Sequence, residues 1–146
     1  MRILYGVPPR SNVTQAEYEL LAELRRSLRT FLAFSEAAAR RAGVTPAQHQ
    51  ALLAIRAARR SEPLSIRDLA SRLCVKHHSA VELVDRLIAR GLARRVPDAA
   101  DRRRVRLAAS ARGEGVLERL SAAHRDELRR VGPEIEALLE RLRRGR

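Results

Sequence analysis

Ser65-Ile66-Arg67-Asp68-Leu69-Ala70, then Val75-Lys76-His77-His78-Ser79-Ala80-Val81-Glu82-Leu83-Val84-Asp85-Arg86-Leu87, then Gly91, then Asp101-Arg102-Arg103-Arg104-Val105 follow one another between Leu64 and Leu107. Ser65 and Asp68 mark a helix start, with the acid placed well for the helix dipole. Ile66, Leu69, Ala70 and Leu73 give that short helix a buried face, and it ends near Leu73. Val81, Val84, Leu87 and Ile88 give a second helix its inward face, and Gly91 ends it. Its start is read near His77. Ser79 and Glu82 offer a competing capping box further on. Leu92 to Val96 and Arg103 to Leu107 read as two strands, with Val105 and Leu107 facing in and Arg104 and Arg106 out. Pro97 to Arg102 turns between them. Two short helices, a tight turn and a basic hairpin make a winged helix-turn-helix.

Working outward, Thr45-Pro46-Ala47-Gln48 is a helix start with cap, first-position proline and third-position glutamine. Leu52, Leu53, Ile55 and Ala58 carry its buried face to about Arg60, and Ser61-Glu62-Pro63 breaks it. Upstream, Thr14 and Glu17 form a capping box. Leu20, Leu21, Leu24, Leu28, Phe31, Leu32 and Ser35 follow at helical spacing towards Arg41, with Gly43 beyond. One apolar stripe on so long a helix needs a partner larger than a small domain, and a second chain would serve. Residues 1–13, with Gly6, Pro8, Pro9 and Asn12, read as an arm. Downstream, Ser110 caps a helix striped by Val116, Leu117, Leu120, His124, Leu128 and Val131. Gly132-Pro133 interrupts it, and a last short helix carries Ile135, Leu138, Leu139 and Leu142 before a basic tail, Arg143 to Arg146.

The fold class is therefore mainly α with a small β-hairpin wing. The expected organisation is an arm and dimerisation helix over 1–45, a winged lobe over 46–109, and C-terminal dimerisation helices over 110–146, interlocked as one domain.

The formal net charge is +13 over 146 residues. Such a balance favours a polyanion through counterion release, and both nucleic acid and an acidic membrane surface satisfy it. Placement says more. Residues 1–60 and 61–112 each carry a net +6, while 113–146 carry only +1. Eight arginines against two acids lie between Arg86 and Arg106. Like charges on paired strands repel, and a nearby polyanion removes the repulsion. A merely solubilising face leaves it in place. Arg94, Arg95, Arg104 and Arg106 are candidate phosphate contacts, and an arginine at the tip can enter a narrow minor groove. Lys76, His77, His78 and Ser79 lie where a reading helix presents its first residues to base edges or phosphate.

The stretch from Leu69 to Gly113 resembles the multiple-antibiotic-resistance regulator (MarR) family of bacterial transcription factors. The matching residues are Leu69-Ala70 with Leu73, Val84-Asp85-Arg86-Leu87, Arg90-Gly91-Leu92, Asp101-Arg102-Arg103 and Ser110-x-x-Gly113. The resemblance implies a homodimer whose N- and C-terminal helices interlock, with two winged lobes on a near-palindromic operator in double-stranded DNA. It implies that Arg103 enters the minor groove and that Asp101 pairs with it. It implies a sequence-specific regulator, a repressor, that answers to a small-molecule effector. Two departures stand out. Lys76-His77-His78-Ser79 occupies a position where many relatives resemble Ser-Pro-Ser-Thr, and Glu82 stands where relatives often carry arginine. Glu82 can accept from a cytosine, cap the helix or steer a neighbouring arginine.

The expected DNA-contacting set is thus Lys76, His77, His78, Ser79, Glu82, Arg86, Arg94, Arg95, Asp101, Arg102, Arg103 and Arg104. Tyr18, Phe31, Phe34, Ser35 and His49 are candidates for lining an effector pocket, a role that plain helix packing rivals. Cys74, His77 and His78 lack an evident fourth metal ligand, and Cys74 reads as small buried filler. No nucleophile motif and no Gly-rich phosphate loop appears, so neither enzyme activity nor a cofactor is expected. No membrane span or signal peptide is evident, and a cytoplasmic location is expected. The rival readings are a winged-helix protein binding RNA or DNA without sequence preference, and a protein-interaction module.

Overall fold

The structure, a computed structural model, describes residues 12–58 and 62–145. Most of the expected N-terminal arm, the region of Arg59 to Ser61 and the final residue of the basic tail lie outside the described residues. The elements run α1 (Gln15–Arg41), α2 (Pro46–Ala57), α3 (Ile66–Leu73), α4 (His77–Ala89), β1 (Ala93–Pro97), β2 (Val105–Ala109) and α5 (Ala111–Arg144).

Local chemistry sets most of these boundaries. At the head of α1 the Thr14 amide donates to Glu17, and the Glu17 amide donates back to the Thr14 hydroxyl. Thr45 with Gln48 and Ser65 with Asp68 form the same reciprocal box on α2 and α3. Each satisfies two backbone donors that the first turn would otherwise leave open. Gly91, with a φ of 66°, closes α4.

Residues 33–127 form one compact unit. Leu52, Leu69, Val84, Leu87, Leu92 and Leu107 are its largest fully buried side chains. They come from α2, α3, α4, the turn that follows it and β2, which is the arrangement of a winged helix-turn-helix. β1 and β2 are antiparallel, with Arg95 opposite Leu107 and Val96 opposite Arg106. Two strands alone are marginal in water. Here β2 packs on α2 and β1 on α4, and the Leu107 amide donates to the Leu64 carbonyl at 2.8 Å.

The described residues below 33 and above 127 form a second unit. Within it Leu20 and Leu138 are buried, and the Ser27 hydroxyl reaches Glu134 at 3.4 Å. Tyr18, Leu21, Leu28, Leu32, Leu128 and Leu139 remain exposed there, each by 42% or more.

Five expectations need correction. The strands lie one to two residues later than expected. Leu92 is taken up by the end of α4, where its amide donates to the Leu87 carbonyl, and Arg103 and Arg104 are consumed by a turn closed by the Arg104 amide on the Asp101 carbonyl. Consequently Val105 is 48% exposed rather than inward, and the Arg106 side chain is only 24% exposed rather than outward. α2 stops at Ala57 rather than near Arg60, because Ala58 already has extended backbone. Gly132-Pro133 does not interrupt α5, which runs through both. Proline inside a helix loses one hydrogen bond and crowds the preceding turn, at about 3 kcal/mol. Burial of Val116, Leu117 and Leu120 before it and Leu138 after it opposes that cost. Finally, Cys74 is exposed rather than buried. It caps α3 with a left-handed φ of 54°, its amide donating to the Ala70 and Ser71 carbonyls. The short link from α3 to α4 demands that backbone, and the residue's position in the turn turns its thiol outward.

Candidate nucleic-acid interface

The first turn of α4 is built differently from those of α2 and α3. Its cap residue, Lys76, has extended backbone and makes no side-chain cap bond. The first amides of a helix have no partner within it and carry the positive end of its dipole, so they suit an anion. Lys76, His77 and His78 are exposed there, while Ser79 is half-buried beside the buried Ala80. One turn on, Glu82 lies 3.5 Å from Arg86, both side chains about two-thirds exposed. Glu82 therefore steers an arginine and does not cap the helix.

The wing presents its charges in several settings. Arg94 and Arg102 are exposed. Arg95 is tied to α4 by a 2.7 Å bond to Asp85. Asp101 accepts from the Arg103 guanidinium at 3.1 and 3.2 Å and from the Arg103 amide at 3.1 Å. That fork-to-carboxylate grip fixes the direction of a cation whose side chain is still 91% exposed. Arg104 stands 3.9 Å from the same carboxylate. The Arg103 guanidinium, and then its amide, hold the Asp101 carboxyl below the usual aspartate range. It is therefore ionised at neutral pH and keeps its grip.

Two residues outside the expected contact set shape this tip. The Asp98 side chain is 11% exposed. One of its oxygens accepts from the Ala100 and Asp101 amides at 2.7 and 3.3 Å, which folds the turn. The other accepts from the Arg106 guanidinium at 2.6 Å. The Ala100 amide and Arg106 hold its carboxyl below the usual range. An aspartate directly after Pro97 in a turn was the available signal. Arg106 looked like a phosphate contact because strand alternation placed it outside.

Of the candidate effector residues, Phe34, Ser35 and His49 converge on His124. The His124 ring meets the Ser35 hydroxyl at 2.7 Å and the Leu120 carbonyl at 2.6 Å. The carbonyl can only accept, so Nδ1 of His124 carries a proton. Phe34 meets His124 edge-on at 5.5 Å, and the His49 ring centre lies 4.9 Å away. His49 is buried, and among the described residues its Nδ1 finds no partner. Burial, and then His124, push its pKa down. His124 was legible as a polar residue inside the α5 stripe. Tyr18 is 59% exposed and Phe31 is half-buried. Among the described residues no group of three or more His, Cys, Asp or Glu side chains could hold a metal. No described helix is long and apolar enough to cross a membrane.

Residues 42–104, from the end of α1 to the wing tip, match the MarR family model. The winged lobe is thus similar to the MarR family over a little under half of the chain. No curated protein matches it in sequence. Among solved structures, the chain is similar to the MarR repressor of Listeria monocytogenes, with a TM-score of 0.66 and 25% identity over 89% of this chain and 99% of that one. It shares its fold with an S. aureus MepR mutant bound to an oligodeoxyribonucleotide, at 18% identity and a TM-score of 0.66 over 86% of this chain and 94% of that one. CouR of Rhodococcus jostii, bound to p-coumaroyl-CoA, gives 22% identity and a TM-score of 0.67 over 88% and 95%. AbsC of Streptomyces coelicolor, of the same fold, is described as a MarR family transcriptional regulator. The Ser110-x-x-Gly113 piece of the resemblance has a plain physical basis in this MarR-type lobe. The Ser110 hydroxyl donates to the Gly91 carbonyl at 2.6 Å and accepts from the Gly113 amide at 3.0 Å. A side chain at Gly113 would overlap the Leu92 carbonyl.

Proposed function

We propose that this chain is a sequence-specific, DNA-binding transcriptional repressor that works as a homodimer and responds to a small-molecule effector. One observation carries the reading. The wing holds the Arg103 guanidinium in a fixed direction and almost wholly exposed, on the same lobe as the uncapped, basic start of α4. A guanidinium held that way suits a narrow, electronegative minor groove. Lys76, His77, His78, Ser79, Glu82 and Arg86 suit the adjoining major groove. Arg94, Arg102 and Arg104 suit phosphates, and Arg95 does so from its tether on Asp85. The net charge of +13 adds a non-specific pull.

The dimer reading draws support from the exposed apolar side chains of the second unit, Tyr18, Leu21, Leu28, Leu32, Leu128 and Leu139. A second copy covers them and sets two lobes about one helical turn apart. Repression follows when the bound dimer excludes polymerase from an overlapping promoter. The effector reading draws on CouR, whose structure holds p-coumaroyl-CoA, and on Phe34, Ser35 and His49. A ligand that shifts these residues would change the spacing of the lobes.

Selection of bound fragments from the source genome tests the whole reading, followed by anisotropy titration and sedimentation of the free protein. A palindromic motif, a steep salt slope and a dimer are expected. A monomer, or equal affinity for every duplex, overturns it. Equal affinity marks a coating protein, and indifference to both salt and Arg103→Ala marks a protein-interaction module.

A further inference from the structure

A charged bridge links the wing tip to α3. Between the tip and α3 lies a cleft of about 670 Å³ lined by Leu64, Asp68, Ser71, Arg72, Asp98 and Arg104, among others. Val105, the first residue of β2, is 48% exposed. What crosses the cleft is Arg106. Its Nε donates to Asp98 at 2.6 Å, and another guanidinium nitrogen reaches Asp68 at 3.4 Å.

Both acids have second duties. Asp98 folds the turn from which Asp101 rises to hold Arg103. Asp68 caps α3, accepting from the Ser65 amide at 3.0 Å and from its hydroxyl at 2.8 Å. Arg106 therefore joins the turn behind Arg103 to the head of the first helix of the helix-turn-helix. A planar guanidinium can serve two carboxylates at once, and an ammonium on a flexible stem does so poorly.

We propose that Arg106, clasped between Asp98 and Asp68, is a positioning residue for DNA binding. It sets the direction in which the wing delivers Arg103 and does not itself touch DNA. This rests on the DNA-binding reading above. Ordering the tip before the encounter lowers the entropic cost of binding, so loss of the clasp weakens binding while leaving Arg103 in place.

The test uses the full chain and a labelled duplex selected by the wild-type protein from a random pool. Arg106→Ala and Asp98→Asn should each weaken binding about tenfold. In an Arg103→Ala background the same changes should cost less than twofold, since there is no longer an aimed guanidinium to misdirect. Arg106→Lys should recover only part of the loss. Backbone order parameters from ¹⁵N relaxation at Ala99 to Arg104 should fall in Arg106→Ala without any DNA present. Asp98→Asn keeps an oxygen for the turn amides, and it serves where Arg106→Ala fails to fold.

Losses that simply multiply in the Arg103→Ala background overturn the inference, because Arg106 then acts independently of Arg103. So does binding that is unchanged in Arg106→Ala while Arg103→Ala weakens it, which leaves the DNA-binding reading standing. If the wild-type chain binds no duplex, the functional reading fails by itself. The order parameters then judge the clasp, and unchanged values at the tip overturn it.

Discussion

Two aspartate–arginine pairs lie within nine residues of one another in the wing, Asp101 with Arg103 and Asp98 with Arg106, and they occupy opposite settings. In the first, the arginine side chain is 91% exposed and its acid 31%. In the second, the values are 24% and 11%. The chemistry is the same fork-shaped cation on a carboxylate, yet one pair presents a charge and the other anchors a turn. An exposed ion pair contributes at most about 1 kcal/mol to folding, so the outer pair is free to answer to a ligand. The inner acid has few solvent contacts to replace its partners, so its loss is felt in the shape of the tip. Identical residue types therefore predict different phenotypes, and burial decides which.

The largest expected effect lies outside both pairs, at the base of the hairpin. Gly113→Ala drives a methyl group into the Leu92 carbonyl, and the backbone on either side has to move. A loss of about 3 kcal/mol in urea unfolding is expected. If stability is unchanged, the joint between the hairpin and α5 is looser than the geometry implies. Arg103→Ala comes next. Duplex binding should weaken by about 10- to 100-fold, with stability unchanged to within about 0.5 kcal/mol. A fall in melting temperature that matches the fall in affinity would erase the distinction between presenting and anchoring.

Acid titration separates the pairs more finely. Both aspartates sit below the usual value of about 3.8. A lowered folded-state value means that their stabilisation is fully present above that pH and is lost as pH falls through the lower folded values. Asp101 is held chiefly by the Arg103 side chain, so Arg103→Ala should let it rise towards its ordinary value. Asp98 is held first by the Ala100 amide, so in Arg106→Ala it should stay depressed. Carboxyl ¹³C shifts followed from pH 6 to 2 read both, and equal responses contradict the contrast. The smallest effect is expected on α4, where Glu82 and Arg86 form a third exposed pair. Glu82→Gln should alter stability by no more than about 0.5 kcal/mol and tighten duplex binding two- to threefold, by removing a charge that repels phosphate. Weaker binding instead would show Glu82 accepting from a base.

The capping boxes of α1, α2 and α3 were legible because each lies within four consecutive residues. The Thr45-Pro46-Ala47-Gln48 signal needs no knowledge of what α2 packs on. The start of α4 at His77 matches the expected one, against the competing box at Ser79 and Glu82. Alternation misled in β2, because strand period says that neighbours face opposite ways without saying where the turn ends. Once the Asp98 and Asp101 bonds had taken up the residues through Arg104, Val105 fell outward and Arg106 inward. Pro133 misled for a related reason. A local penalty of a few kcal/mol ends an isolated helix, but not one with buried leucines on both sides of the break.

Apolar spacing, caps and the run of arginines were enough to specify where most helices start, a short basic hairpin and a lobe of the winged type. Those features act between residues close in the chain, where distance is set by covalent geometry. Which of the wing's arginines faces solvent and which spans the cleft to α3 depends on Asp68, 38 residues away from Arg106. The gathering of Ser35, His49 and His124 likewise joins three helices that are distant in the chain. Charge and desolvation depend on separation in space, and only the folded chain sets that separation.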